Sequence, residues 1–540
     1  MKTNKTHIFV LLILAAVTFI ANNAALPADY MESRNLATAQ EMVATGEYLI
    51  PTMNGELRLE KPPLPTWIAA AIEHITPGNL AAQRTATALS GILLMFFVYA
   101  IVDKLTQRKQ QAFMSAAILA TSYAVIMMSR NATWDIYCHT FMLGGILYFI
   151  KGIQEKNKVY LNFIITGLFW SLSFLAKGPV SFFALLLPFL IAYFGYYRPS
   201  MRGKWIPLLV SVLITVVISG AWPLYVYIHE QDHLSYVAQK ESGSWGDHNV
   251  RPWYYYKLFF VESGIWSLFW ITSLLYAFFK RDFKKDSSSR FFLFWTLAVL
   301  ILLSIVPEKK TRYLLPILIP GAMNMGAYWY YIMTNHIKKT KDKLWFNINV
   351  GLLAIIFIAI PPAIYFLVYK ENLISLTLLI ILAICFWAFA AFLINAMTRQ
   401  EPKKQNIFTT ILIAMAVVTS IAFIPAKKIF VNTDRHSIRE LRGIKKWDSY
   451  PFFHPETEFL RMELVYESNR IIRPMDFTDK NVINQKVPFI LVSTQPVEQL
   501  MPVDNYKITP IGKYDNNWRQ TDSKRYNTEL VKEVYLIEAK

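Results

Sequence analysis

Residues 206–228 read IPLLVSVLITVVISGAWPLYVYI, twenty-three in a row without a charged side chain. As a helix rising 1.5 Å per residue, such a run covers about 35 Å, enough to cross the roughly 30 Å hydrocarbon core of a bilayer. A surface helix of a soluble domain keeps one polar face, and this run has none. Arg198, Arg202 and Lys204 stand just before it.

Outward from this stretch, the pattern recurs. About thirteen such runs are predicted as spans. Upstream they cover approximately His7–Ala25, Ala82–Val102, Ala112–Ser129, Ile136–Ile150, Tyr160–Ala176 and Val180–Tyr196. Downstream they cover Phe259–Phe279, Phe291–Val306, Tyr313–Met333, Leu344–Val368, Leu373–Ala396 and Ile407–Ile424. Composition agrees: 54% of the 540 residues are hydrophobic and only 17% charged, against about 25% charged in soluble domains. An ordinary soluble enzyme, a disordered chain and a disulfide-rich module are thereby excluded. Aromatics reach 15%, as expected where rings line membrane interfaces. The two cysteines, Cys138 and Cys385, both sit in apolar runs and form no metal-binding or disulfide pattern.

The formal charge of +18 first suggests a nucleic-acid partner. Its distribution excludes one. With the N-terminus inside, every second connection is basic, from Lys2 and Lys5 through Lys104, Arg108 and Lys109 to Arg399, Lys403 and Lys404. These inside segments hold 23 Lys and Arg against 6 acids, a net +17. That is the positive-inside rule, so the basic excess reflects topology. An odd span count leaves the C-terminal region outside. The expected architecture is a polytopic α-helical membrane protein with about 13 transmembrane helices, surface helices in loop one and a small C-terminal α/β domain. The transmembrane domain covers 1–424, with outside loops at 26–81 and 229–257, and the outside domain covers 425–540. Runs such as Val487–Val492 and Val534–Ile537 read as its strands. Lys2, Lys5, an apolar core and Ala24-Ala25 also fit a signal peptide. Retention is expected, because loop one would then be held at the membrane at both ends.

Loop one is too long for a plain connector. Residues 34–44 have helical spacing of Leu36, Ala39, Met42 and Val43, predicting a helix along the membrane surface. Residues 50–55 read as an extended turn, and Glu60-Lys61-Pro62-Pro63 with Trp67 suits a helix start at the headgroups.

The blocks Asp29-Tyr-Met-Glu-Ser-Arg-Asn35, Gln40 to Gly55 and Glu60-Lys-Pro-Pro-Leu64 resemble the first periplasmic loop of bacterial membrane glycosyltransferases of the C-type (GT-C) superfamily. The family is that of the lipid A aminoarabinose transferases and protein O-mannosyltransferase-like enzymes. Arg84 with Thr85-Ala86-Thr87, Arg130 with Asp135, and Leu175-Ala-Lys-Gly-Pro179 are similar to later motifs of that family. So are His248 before Pro252-Trp-Tyr-Tyr-Tyr256, and Arg312-Tyr-Leu-Leu-Pro316. The resemblance covers about residues 1–424. One position departs: the family's Asp-Glu pair at the start of loop one reads Met31-Glu32 here, and the Tyr after its Arg is Asn35.

The resemblance implies a sugar donor on a polyprenyl phosphate and transfer at the periplasmic face of a bacterial inner membrane. The acceptor would be a lipid (lipid A-like), a glycan or a protein. Physical chemistry points to the same residues. Lys61, Lys177, Lys309, Lys310 and Arg312 are cations on the otherwise cation-poor outer side, where phosphate is a natural counter-ion and headgroup snorkelling is the alternative. Arg34, Lys61, Lys177, Lys310, Arg312 and Tyr313 are the expected substrate-binding residues. Transfer needs a base for the acceptor hydroxyl, and Glu32, Asp135 and Asp29 are the candidates. Asp135 is either such a base or a salt-bridge partner of Arg130. Glu32, next to Met31, is favoured, since Glu41 and Glu47 have ordinary surface neighbours. Glu60 and His248 are the expected ligands of a divalent metal, with a hydrogen-bonded surface histidine as the alternative. No organic cofactor is expected. A transporter or flippase of polyprenyl-linked sugars competes, but it would place charge at mid-membrane and show paired broken helices in two halves, and neither is evident.

Overall fold

The computed structural model describes residues 2–233, 235, 237, 249–280, 283, 286–334, 340–398, 404–430, 435–517, 521, 523–524 and 526–540. The chain begins with α1 (Lys2–Ala15), α2 (Tyr30–Thr45) and α3 (Leu64–Ile75), followed by α4 (Leu80–Thr106), α5 (Lys109–Ala120) and α6 (Tyr123–Ser129). Then come α7 (Trp134–Gln154), α8 (Val159–Lys177), α9 (Leu187–Tyr197), α10 (Trp205–His229) and α11 (Ser267–Phe279). The apolar series closes with α12 (Ser287–Ile305), α13 (Leu315–Thr334), α14 (Thr340–Ile364), α15 (Leu376–Thr398) and α16 (Lys404–Phe430).

Among the described residues, nine helices are long and apolar enough to cross a membrane, or ten if the bent pair α5 and α6 is one span. The sequence predicts about thirteen. The remaining runs are helical but atypical. Two are short, Lys5–Ile20 and Phe182–Tyr197, and each contains a π-helical turn. The third is α13, buried without interruption from Leu315 to Trp329. Its Pro, Asn, Tyr and Trp content suits protein neighbours better than lipid. The 67° bend between α5 and α6 has a local cause. Thr121 Oγ1 and Ser122 Oγ donate back to the carbonyls of Ala117 (2.7 Å) and Ile118 (2.8 Å), a contact that bends helices.

The chain forms two compact units. The first comprises residues 1–23, 60–64 and 84–425, the second 24–59, 65–83 and 426–540. Most of loop one groups with residues 426–540 and not with residues 84–425.

In the first unit, ion pairs follow the two faces read from loop charge. Lys104 pairs with Glu155 (2.6 Å), Arg108 with Asp286 (3.0 Å), and Lys280 with Asp342. Each joins two connections assigned to the basic face. Contacts among the alternate connections join the opposite face, including the bridge Val250 to Glu308 and Tyr256 Oη donating to Lys310 O (3.2 Å). Helices α5 and α13 approach closely where Gly326 meets Ser115, since a Cβ there would lie 2.8 Å from the Ser115 amide nitrogen.

In the second unit, a five-stranded mixed sheet contains β3 (Phe452–Pro455), β4 (Ile472–Met475), β5 (Phe489–Ser493), β6 (Tyr506–Asp515) and β7 (Val531–Ala539) in the order β4-β3-β5-β7-β6. The runs read as strands are β5 and β7, which pair antiparallel. Helices α17 (Met462–Ser468) and α18 (Lys480–Lys486) complete it, over a core that includes Phe453, Phe489, Leu491 and Ile537. Helix α2 packs against α17, and its residues 32–42 are buried apart from Arg34. That corrects the expected membrane-surface helix: a helix buried nearly all round has protein on its faces, not headgroups. The extended turn expected at 50–55 is part of a small hairpin over residues 52–57, of β1 (Thr52–Met53) and β2 (Glu56–Leu57). Asn54 (φ 57°) and Gly55 (φ 78°) form its turn, the Asn-Gly pairing that left-handed two-residue turns select.

Candidate functional site

In the first unit, two helix ends bring together a carboxylate and an amine. Asp135 lies in the first turn of α7 and Lys177 is the last residue of α8. Each charge therefore complements its helix dipole. The two form a buried ion pair, with side chains 7% and 8% exposed. Gly178, at φ 68°, ends α8 and fixes the turn into Pro179. The expected partner of Asp135, Arg130, is engaged elsewhere: its guanidinium donates to Thr18 O (2.7 Å) and Ala21 O and lies over the Phe423 ring. It clamps the N-terminal helix, so the Arg130 pairing is corrected to Lys177.

Tyr313 is the hub of the cations. Lys177, Lys310 and Arg312 lie 5.2, 5.7 and 5.8 Å from its ring centroid. Its hydroxyl donates to Glu308 (3.2 Å), which also pairs with Lys310 (2.5 Å). Arg312 acts electrostatically on Asp135 as well, and its buried Nε has no hydrogen-bond partner. The segment around Tyr313 is braced by Tyr255 and Tyr256, which reach Thr311 and Lys310. Lys309 is spent on structure: its ammonium donates to the carbonyls of Val306 and Arg251, and burial lowers its pKa.

Beneath Asp135 runs a polar seam that the sequence reading missed. Ser173 Oγ donates to Cys138 O (2.7 Å) and meets Ser181 Oγ (2.6 Å). His139, one turn along α7, is 2% exposed, and its Nδ1 has no hydrogen-bond partner. Glu308 was also missed, although an acid beside Lys309-Lys310 is a readable signal. Glu60 and Lys61 belong to this unit too, and both are partly buried.

The second unit holds the other acids. Glu32 is fully buried on α2. Asp29 is the N-cap of that helix, accepting from the Glu32 amide (2.9 Å). Arg34 is partly buried. Glu41, expected at the surface, is 6% exposed and orders the hairpin, accepting from Thr52 Oγ1 (2.8 Å), Gly55 N (3.0 Å) and Asn54 N. Glu47 binds the amides of Leu49 and Ile50. Burial of Glu41 corrects the reading of it as an ordinary surface group, whereas Glu47 is exposed as expected. His248 lies outside the described residues. Among those described, no group of three or more His, Cys, Asp or Glu side chains is placed to hold a metal ion.

These features define a multi-pass membrane protein in which a buried ion pair lies beside one tyrosine ring that three cations approach. The sequence model of the family described as "Dolichyl-phosphate-mannose-protein mannosyltransferase" matches residues 60–222. An undecaprenyl phosphate-alpha-4-amino-4-deoxy-L-arabinose arabinosyl transferase of Pseudomonas fluorescens is 27% identical over 351 residues, 62% of each chain. One from Proteus mirabilis is 24% identical, over 61% of this chain and 60% of its own. The match thus spans about three-fifths of the length of these relatives. The crystal structure of ArnT from Cupriavidus metallidurans bound to undecaprenyl phosphate superposes with a TM-score of 0.72 at 15% identity, over 98% of this chain and 97% of that one. The chain has that fold, and its resemblance to C-type glycosyltransferases of the aminoarabinose and mannosyltransferase type holds.

Proposed function

We propose that the protein transfers a sugar from a polyprenyl-phosphate carrier to an acceptor at the periplasmic face of a bacterial inner membrane. The observation that carries this reading is the cluster of Asp135, Lys177, Tyr313, Arg312 and Lys310. The named relatives above act on undecaprenyl-phosphate sugars, and they disfavour a transporter or flippase.

In this reading the acceptor hydroxyl attacks the anomeric carbon, and the bond from that carbon to the phosphate oxygen breaks. The carrier phosphate leaves with the bonding electrons. Arg312, with a donor to spare, and Lys310 stabilise the charge that grows on it. Lys177 uses one of its three donors on Asp135 and has two for phosphate. Lys61 and Arg34 are further proposed phosphate contacts. A carboxylate takes the hydroxyl proton. Asp135 is the candidate in the first unit and Glu32 in the second, while Asp29's oxygen already caps α2. Glu60 and His248 are kept as the proposed ligands of a divalent metal. Chelator-stripped protein that turns over at full rate would remove that assignment.

A lipid A-like glycolipid is the proposed acceptor, with glycans and protein hydroxyls next. The deciding experiment compares the lipid A, glycan and glycoprotein profiles of a deletion strain with its parent. One sugar should be missing from one class. Identical profiles in all three would refute the transferase reading.

A further inference from the structure

At the basic-loop end of the first unit, α1, α5, α13 and α16 enclose a groove of about 440 Å³, within the size range of small-molecule sites. Its walls are apolar, with Val10, Ile13, Phe113 and Leu412, and its mouth is polar, with Thr6, His7, Gln110 and Gln405. Val10 and Ile13 are 38% and 49% exposed, so the groove opens sideways.

Among the described residues, the helix starts at the mouth carry lysines. Helices α1, α5 and α16 all start at this end with a lysine, and none has an acid in its first turn. Their positive dipole ends therefore meet here without side-chain compensation. Lys5 and Lys109 are exposed, and Lys109 is close enough to His7 to act on it electrostatically. The His7 ring stacks on Phe113 with centroids 4.7 Å apart, and its buried Nδ1 has no hydrogen-bond partner. An apolar slot open to the bilayer, under a cationic mouth with a spare polar atom, fits one ligand chemistry: a hydrocarbon chain on a phosphate. Basic pockets between spans bind such headgroups.

We propose that this groove is a binding site for an anionic phospholipid of the inside leaflet. The phosphate sits at Lys109 and the starts of α5 and α16, and an acyl chain lies along Val10, Ile13 and Leu412. A polyprenyl phosphate has the same chemistry, but its proposed site lies on the opposite loops. The assignment does not depend on the transferase reading.

The test is native mass spectrometry of the purified full chain in mild detergent, titrated with phosphatidylglycerol, phosphatidylethanolamine or undecaprenyl phosphate. One phosphatidylglycerol adduct is expected, with phosphatidylethanolamine several-fold weaker. Lys109→Gln, at an exposed position, should reduce occupancy about fivefold, the effect of one lysine at an anionic lipid surface. Ile413 also lines the groove, so Ile413→Trp should block it and remove the adduct, whereas Lys156→Gln on another basic loop should leave it intact. Equal binding of both phospholipids, or an adduct that survives both groove variants, overturns the proposal. So does displacement by equimolar undecaprenyl phosphate, which would make the groove a second carrier site.

Discussion

A buried charge is tolerable only beside its partner, and that governs what Asp135 and Lys177 permit. Asp135→Asn leaves an ammonium buried alone and should destabilise the protein by about 3–5 kcal/mol. The double variant Asp135→Asn with Lys177→Met should recover much of the unfolding midpoint but no turnover, measured by thermal unfolding and donor hydrolysis. Full turnover in the double variant would make the pair purely structural. Arg312→Ala removes a charge-assisted contact worth about 1.5–3 kcal/mol, so the KM for the carrier sugar should rise while the protein still purifies. Glu32→Gln separates the two candidate bases: a fall in kcat of about 10²–10⁴ with unchanged donor binding assigns the proton transfer to Glu32, and normal turnover leaves Asp135. In the second unit, burial pushes Glu458 up. The Lys532 ammonium at 2.7 Å and the Thr494 amide and hydroxyl outweigh it and hold the carboxyl below its usual range. Its contribution is therefore present above the unfolded pKa of about 4.3 and is lost as pH falls through the folded value. Between pH 5 and 3 the wild type should lose more stability than Glu458→Gln. Most of these residues can be named from the sequence, but their pairing cannot. Arg130 and Asp135 are five residues apart, and only the packing of α7 against α8 shows that Asp135 meets Lys177 instead.

Elements were legible where a single period dominates. Continuous apolar runs mark α4, α10 and α15 plainly, because a lipid-facing helix needs nothing else. Interior helices were harder. α13 is apolar enough to bury but not to face lipid, and the bend after α5 depends on two hydroxyls that could equally point elsewhere. Helix α2 misled for another reason: its apolar stripe is real, but no periodicity says that α17 covers it. Close helix approach makes one element-scale prediction. Gly326→Leu must displace the Ser115 backbone, so it should lower expression and the unfolding midpoint sharply, whereas Gly195→Leu, with open space around it, should be neutral. Equal effects would mean that α5 and α13 separate easily.

For the whole molecule, loop charge predicts which face is inside, because charge partition is set residue by residue. Alkaline phosphatase fused after Lys540 should be active, and fused after Lys341 inactive; the reverse pattern would invert the topology. Grouping was not legible, because nothing in loop one announces that its neighbours lie four hundred residues away. Asn54 shows the join: its side-chain amide makes two hydrogen bonds with the Ile472 backbone, at 2.6 and 2.7 Å. Order of synthesis then matters. Helix α2 leaves the ribosome about 420 residues before α17, a wait of roughly 20–80 s at ordinary elongation rates. During that interval loop one has been delivered without the helix that covers it. The newborn protein is then most exposed to proteases and in most need of a chaperone, until α17 has followed α2.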